Sequence, residues 1–63
     1  MQKLFEDYGI EIFAEDGKYY IRFEAGEMLL RYETIEVSEE DAMRAQKSEN
    51  DAYRVLIENE YKD

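Results

Sequence analysis

The chain has no cysteine and no histidine. Without cysteine there are no disulfides and no thiolate metal sites. Without histidine the commonest metal ligand and general base is missing. A Cys–His or Ser–His nucleophile therefore cannot be assembled. Long apolar runs are also lacking. The longest are three residues, such as Met28-Leu29-Leu30, which is too short for a membrane-spanning helix. No charged segment followed by an apolar one opens the chain, so no signal peptide is expected. The three glycines are isolated turn or cap signals, not a phosphate-cradling loop. Basic residues are scarce: 8 Lys and Arg against 17 Asp and Glu, a net charge of −9. That field repels nucleic acid and anionic membranes, and it attracts basic proteins and speeds their capture. The same acidity also serves solubility. The lack of cysteine fits a reducing compartment, and the cytoplasm is the expected location.

What is present is the material of a small folded domain. A length of 63 residues allows a single domain spanning 1–63, with a modest core. Three Phe and six Tyr supply large areas to bury. Dense aromatic and β-branched content with clean periodicity argues against disorder. The clearest stretch is Lys18-Tyr19-Tyr20-Ile21-Arg22-Phe23-Glu24, whose alternation reads as a central strand. Tyr19, Ile21 and Phe23 fall on one face; Tyr20, Arg22 and Glu24 fall on the other.

Ahead of it, Met1 to Tyr8 reads either as a short helical stripe of Leu4, Phe5 and Tyr8 capped by Gly9, or as a frayed strand. Ile10 to Glu15 reads as a strand, and Asp16-Gly17 is a hairpin signal because a type I′ turn needs positive φ at both positions. That loop sets Glu15 opposite Lys18, Phe13 opposite Tyr20 and Glu11 opposite Arg22. On the other face it sets Ala14 opposite Tyr19, Ile12 opposite Ile21 and Ile10 opposite Phe23. Charges pair with opposite charges and apolar residues with apolar ones, which a one-residue slip would scramble. A second turn at Ala25-Gly26 would bring Phe23 opposite Met28, Ile21 opposite Leu30 and Tyr19 opposite Tyr32. Arg22 would then face Leu29, and Tyr20 would face Arg31. Alanine suits positive φ poorly, and Glu24 would face Glu27, so a wider turn is the alternative. The third strand spans about Glu27 to Val37. Its apolar phase shifts between Tyr32 and Ile35, which predicts a bulge or the end of pairing near Glu33-Thr34.

Ser38-Glu39-Glu40-Asp41 opens a helix, with serine as N-cap and acids that complement the helix dipole. Ser48-Glu49-Asn50-Asp51 repeats the signature, which predicts two helices, about 39–47 and 49–61, rather than one kinked helix. Ala42, Met43, Ala45 and Gln46 are expected on the inner side of the first. Ala52 with Leu56, and Tyr53 with Ile57 and Tyr61, form stripes on the second. The expected fold is α+β: a three-stranded antiparallel meander followed by two C-terminal helices packed on one face.

Acid–base chemistry by paired carboxylates needs an apolar cleft that so short a chain has little volume to build. Nor is there a calcium loop. The reading is therefore a non-enzymatic protein with no cofactor and no metal. Strand followed by two helices also resembles the order of a ribbon-helix-helix DNA binder, but too few basic residues stand ready for phosphates. Two surfaces remain for a partner. One is the acid density of Glu36, Glu39, Glu40, Asp41, Glu49 and Asp51. The other is the outer sheet face, where Phe13, Tyr20, Arg22 and Arg31 mix aromatic and charged groups as an interface does.

The stretch Val37-Ser38-Glu39-Glu40-Asp41-Ala42-Met43-Arg44-Ala45-Gln46-Lys47-Ser48-Glu49-Asn50-Asp51-Ala52-Tyr53 resembles the C-terminal part of small acidic bacterial toxin-immunity proteins. The resemblance covers about a quarter of the chain and carries over no individual residue. It implies an inhibitor, immunity- or antitoxin-like, that occludes a basic partner such as a toxin or nuclease. The competing expectation is a structural or regulatory domain that forms a homodimer through its sheet face or an edge.

Overall fold

The computed structural model describes residues 1–26 and 31–60. The elements run β1 (Gln2–Asp7), β2 (Ile10–Glu15), β3 (Lys18–Glu24), β4 (Tyr32–Val37), α1 (Glu39–Arg44) and α2 (Glu49–Glu60). The class is α+β as expected, but the antiparallel sheet has four strands rather than three, in the order β1-β2-β3-β4. The additional strand is β1, formed by the ambiguous opening segment.

Two tight turns build the first three strands. Asp16 and Gly17 have φ of 52° and 77°, and the β2–β3 register runs from Glu15 opposite Lys18 to Ile10 opposite Phe23, as the sequence predicts. Tyr8 and Gly9 have φ of 53° and 75° and join β1 to β2 in the same way. Gly9 thus adopts positive φ as half of a hairpin turn, not as a helix cap. The N–H of Tyr8 donates to Asp7 Oδ1 at 2.8 Å. The register of β1 shifts between Lys3 and Phe5, so Leu4 occupies a bulge. That extra residue gives Leu4, Phe5 and Tyr8 their helix-like spacing.

The third pairing corrects the expected one. Phe23 lies opposite Glu33, Ile21 opposite Ile35 and Tyr19 opposite Val37. Arg22 faces Thr34 and Tyr20 faces Glu36, not Leu29 and Arg31. The pairing continues through Glu33 and Thr34 without a register shift. The connection is wider than two residues, and the N–H of Ala25 donates to Arg31 O at 2.7 Å. The expected strand positions Glu27, Met28, Leu29 and Leu30 lie outside the described residues, as does Tyr61, expected in the second helix.

Ile10, Ile12, Ile21, Phe23 and Val37 meet Ala42, Ala45, Ala52 and Val55 in one buried cluster. Its strand members share one alternation phase, so both helices cover the same face of the sheet. Alanine on both helices lets them approach the strands closely. Ser38 Oγ accepts the Asp41 N–H at 3.0 Å, and Ser48 Oγ accepts the Asp51 N–H at 3.1 Å, so both serines cap as expected. Met43 and Tyr53 are exposed rather than inward, because Ala42 with Ala45 and Ala52 with Val55 occupy the inner stripes. None of the helices among the described residues is long and apolar enough to cross a membrane.

Candidate functional site

With both helices on one face, the opposite face of the sheet has no covering layer among the described residues. Alternation decides which side chains stand there. Lys3, Phe13, Tyr20 and Glu36 form one row across the four strands, and Glu6, Glu11, Arg22 and Thr34 form the next. Tyr32 follows, opposite Glu24.

The second row is tied together laterally. Lys3 Nζ lies 2.8 Å from Glu6 Oε1 and 2.8 Å from Glu11 Oε2. Arg22 Nε lies 3.7 Å from Glu11 Oε1, and the Arg22 guanidinium sits 4.7 Å from the centroid of the Tyr32 ring. A chain of attraction therefore runs from β1 to β4. The hydrogen bond from Lys3, followed by the charges of Lys3 and Arg22, holds the Glu11 carboxyl below its usual range. Hydrogen bonds to Glu11 and then Glu6 raise the Lys3 ammonium.

In the first row, Phe13 and Tyr20 are half-buried cross-strand neighbours between Lys3 and Glu36. Glu36 is exposed and has no ion-pair partner among the described residues. Where β1 turns into β2, the face dips into a shallow depression lined by Glu6, Gly9, Glu11, Arg22, Glu24 and Tyr32. Asp7 lines it as well, and four carboxylates around one guanidinium make that depression acidic.

The expected site residues divide. Phe13, Tyr20, Arg22 and Glu36 share the uncovered face. Arg31 does not join them: it shares the alternation phase of Glu33 on the helix side, and its Nη2 lies 3.4 Å from Glu33 Oε1. Glu39 and Glu40 continue from the end of β4, and Glu39 Oε2 accepts the Tyr19 hydroxyl at 3.0 Å. That bond raises the Tyr19 phenol above its ordinary value. Asp41 is occupied inside the helical layer, accepting from Asn59 at 3.2 Å and lying 3.4 Å from Arg44. Asp51 accepts the Ser48 hydroxyl at 2.9 Å. Arg44 donates to Glu58, which raises the guanidinium further.

The helix starts do not form one acidic cluster. Glu49 lines a groove with Tyr8, in the turn beside the Ile10–Phe23 end of the β2–β3 ladder, while Glu39 reaches Tyr19, near the Glu15–Lys18 end. Lys3 and Tyr32 belong to the face but were not expected there. Tyr32 could have been found by counting back in twos from Glu36, once Ile35 and Val37 are assigned to the core. The bulge at Leu4 hides Lys3, because it breaks the alternation that would place it.

Among the described residues no polar side chain is fully buried, and no group of three or more His, Cys, Asp or Glu could hold a metal ion. No family model matches the chain, and no curated protein and no solved structure matches it.

Proposed function

We propose that the protein is an acidic, non-catalytic inhibitor of the immunity or antitoxin kind, which docks on a basic protein such as a toxin or nuclease and occludes its working surface. The observation that carries this reading is the uncovered sheet face. It presents the Phe13–Tyr20 pair between charged rows, beside a depression lined by Glu6, Glu11 and Glu24. A hydrophobic centre within a polar rim is the anatomy of a docking site, and aromatic side chains are the usual anchors. The net charge of −9 steers a basic partner toward the surface. It disfavours nucleic acid and anionic membranes. Glu36 adds a carboxylate to that face, Glu39 and Glu40 carry the acidity on into the first turn of α1, and the cytoplasm is the proposed location.

The test is affinity capture from the native host at low and at ~0.5 M salt, with Tyr20→Glu alongside. Screening at high salt shortens the reach of the field. Captured proteins of high isoelectric point, lost at high salt and with the variant, support the reading. Capture of neutral or acidic proteins, indifferent to salt, sinks it. Self-association through the same face is the competing reading, and it brings two chains of net charge −9 together. A dimer mass in light scattering that Tyr20→Glu abolishes would establish it.

A further inference from the structure

The two edges of the sheet differ. β1 carries a bulge at Leu4 and a lysine, two devices that discourage another strand from pairing. β4 pairs with β3 without a register shift and has neither lysine nor proline. The Ala25–Arg31 hydrogen bond fixes which of its residues bond inward. Alternation in an antiparallel ladder then turns the main-chain groups of Glu33, Ile35 and Val37 toward β3 and those of Tyr32, Thr34 and Glu36 toward the free edge. Among the described residues no other backbone segment bonds to that edge.

The side chains flanking the edge select what could bond there. On the uncovered face stand Tyr32, Thr34 and Glu36; on the helix side stand Glu33, Ile35 and Val37. An added strand with Lys or Arg on its first face would meet the Glu36 carboxylate and the Tyr32 ring. Apolar residues on its second face would continue the side that bears Ile35 and Val37. The glutamates oppose a strand of like charge, including β4 of a second copy. Rejection of wrong partners by repulsion is half of specificity.

We propose that β4 is a docking edge that takes up an extended, cationic segment of a partner protein as a fifth strand, with Lys or Arg alternating with apolar residues. Main-chain hydrogen bonds supply affinity in this mode, and alternate side chains supply specificity. The proposal rests on the reading of the protein as a binder of a basic partner, and it adds where and in what conformation the partner is held.

The test uses the full chain, isotopically labelled, with a capped hexapeptide of alternating Lys and Val and a Glu/Val peptide as control. Binding of the Lys peptide should slow amide exchange at Tyr32, Thr34 and Glu36 and leave β1 unchanged. Thr34→Pro removes an outward N–H that no bond among the described residues uses, and proline is tolerated on edge strands. It should weaken binding about tenfold, the worth of roughly one hydrogen bond. Glu36→Lys keeps the N–H and should weaken binding about two- to fivefold, as for an exposed ion pair. This second variant and the exchange pattern decide the matter if Thr34→Pro fails to fold. Binding that leaves β4 exchange unchanged and ignores both variants overturns the edge while sparing the broader reading. Equal binding of the Glu peptide, or no binding of the Lys peptide, overturns the proposal whatever the host capture yields. Concentration-dependent protection of β4 without peptide, with a dimer mass, overturns it in favour of a second copy.

Discussion

The Arg22 guanidinium lies 4.7 Å from the centroid of the Tyr32 ring, and its Nε lies 3.7 Å from the carboxylate of Glu11, directly opposite on β2. Arg22 and Tyr32 are diagonal neighbours on β3 and β4, within reach of long side chains across a sheet. A cation over an exposed aromatic ring is worth about 0.5–1 kcal/mol. A double-mutant cycle with Arg22→Ala and Tyr32→Ala, followed by urea denaturation, should return a coupling of that size. A coupling within error of zero would show that the two merely lie near each other.

Gly17 has φ of +77°, and a β-carbon built there meets no atom within 4 Å. The cost of a side chain is therefore conformational. Gly17→Ala should destabilise by about 1–2 kcal/mol, lowering the melting midpoint by roughly 4–8 °C per kcal/mol for a chain of this size. D-alanine, introduced by chemical synthesis, prefers this region and should not destabilise. Equal losses from both enantiomers would assign the cost to something other than φ.

Ser48 both accepts the Asp51 N–H and donates to its carboxylate, whereas Ser38 only accepts from the Asp41 N–H. Alanine at either N-cap should cost about 0.5–2 kcal/mol. Ser48→Ala should be the larger loss, since it also strips a donor from Asp51. Chemical denaturation of the two variants side by side checks the order.

Stability should depend on pH through Glu11. Its folded pKa lies below its unfolded one, because Lys3 hydrogen-bonds to the ionised form. The stability it adds is present above the unfolded value of about 4.3 and is lost as pH falls through the folded value. Glu11→Gln should therefore be less stable than wild type at pH 7, with the gap closing under acid. Tyr19 runs the other way. Its raised pKa, from the bond to Glu39, makes its contribution full below the unfolded value of about 10 and lost as pH rises through the higher folded value. The gap between wild type and Tyr19→Phe should close under alkali. Gaps constant with pH would remove both assignments.

The β2–β3 hairpin was legible in the sequence residue by residue. The Asp16-Gly17 turn sets the register, and every facing pair then agrees in charge or polarity. β1 was not. A bulge at Leu4 interrupts its alternation, and a tyrosine at positive φ is no ordinary turn signal. Met28 and Leu30 suggested themselves as partners for Phe23 and Ile21 because they are apolar and near in sequence. The residue opposite Phe23 is Glu33, whose charge is accommodated at the sheet edge beside Arg31. Misplacing β4 also misplaced Arg31 against Tyr20 and left Tyr32 off the outer face. The helix caps were readable because their chemistry is local. Whether the two acidic helix starts come together depends on where the chain goes between them, which no local pattern carries.

The turns at Tyr8-Gly9 and Asp16-Gly17 also bear on the order of folding. Each joins its strands through two residues, so β1, β2 and β3 meet with little chain to close. β4 must instead close the longer connection from Ala25 to Arg31. Local pairings form early and distant ones late. Substitutions in the β2–β3 hairpin should thus slow refolding, while those confined to β4 should speed unfolding. The strand that joins the sheet last is then among the first to leave it. A partner strand laid along its edge would slow that departure, and binding would register as a longer folded lifetime.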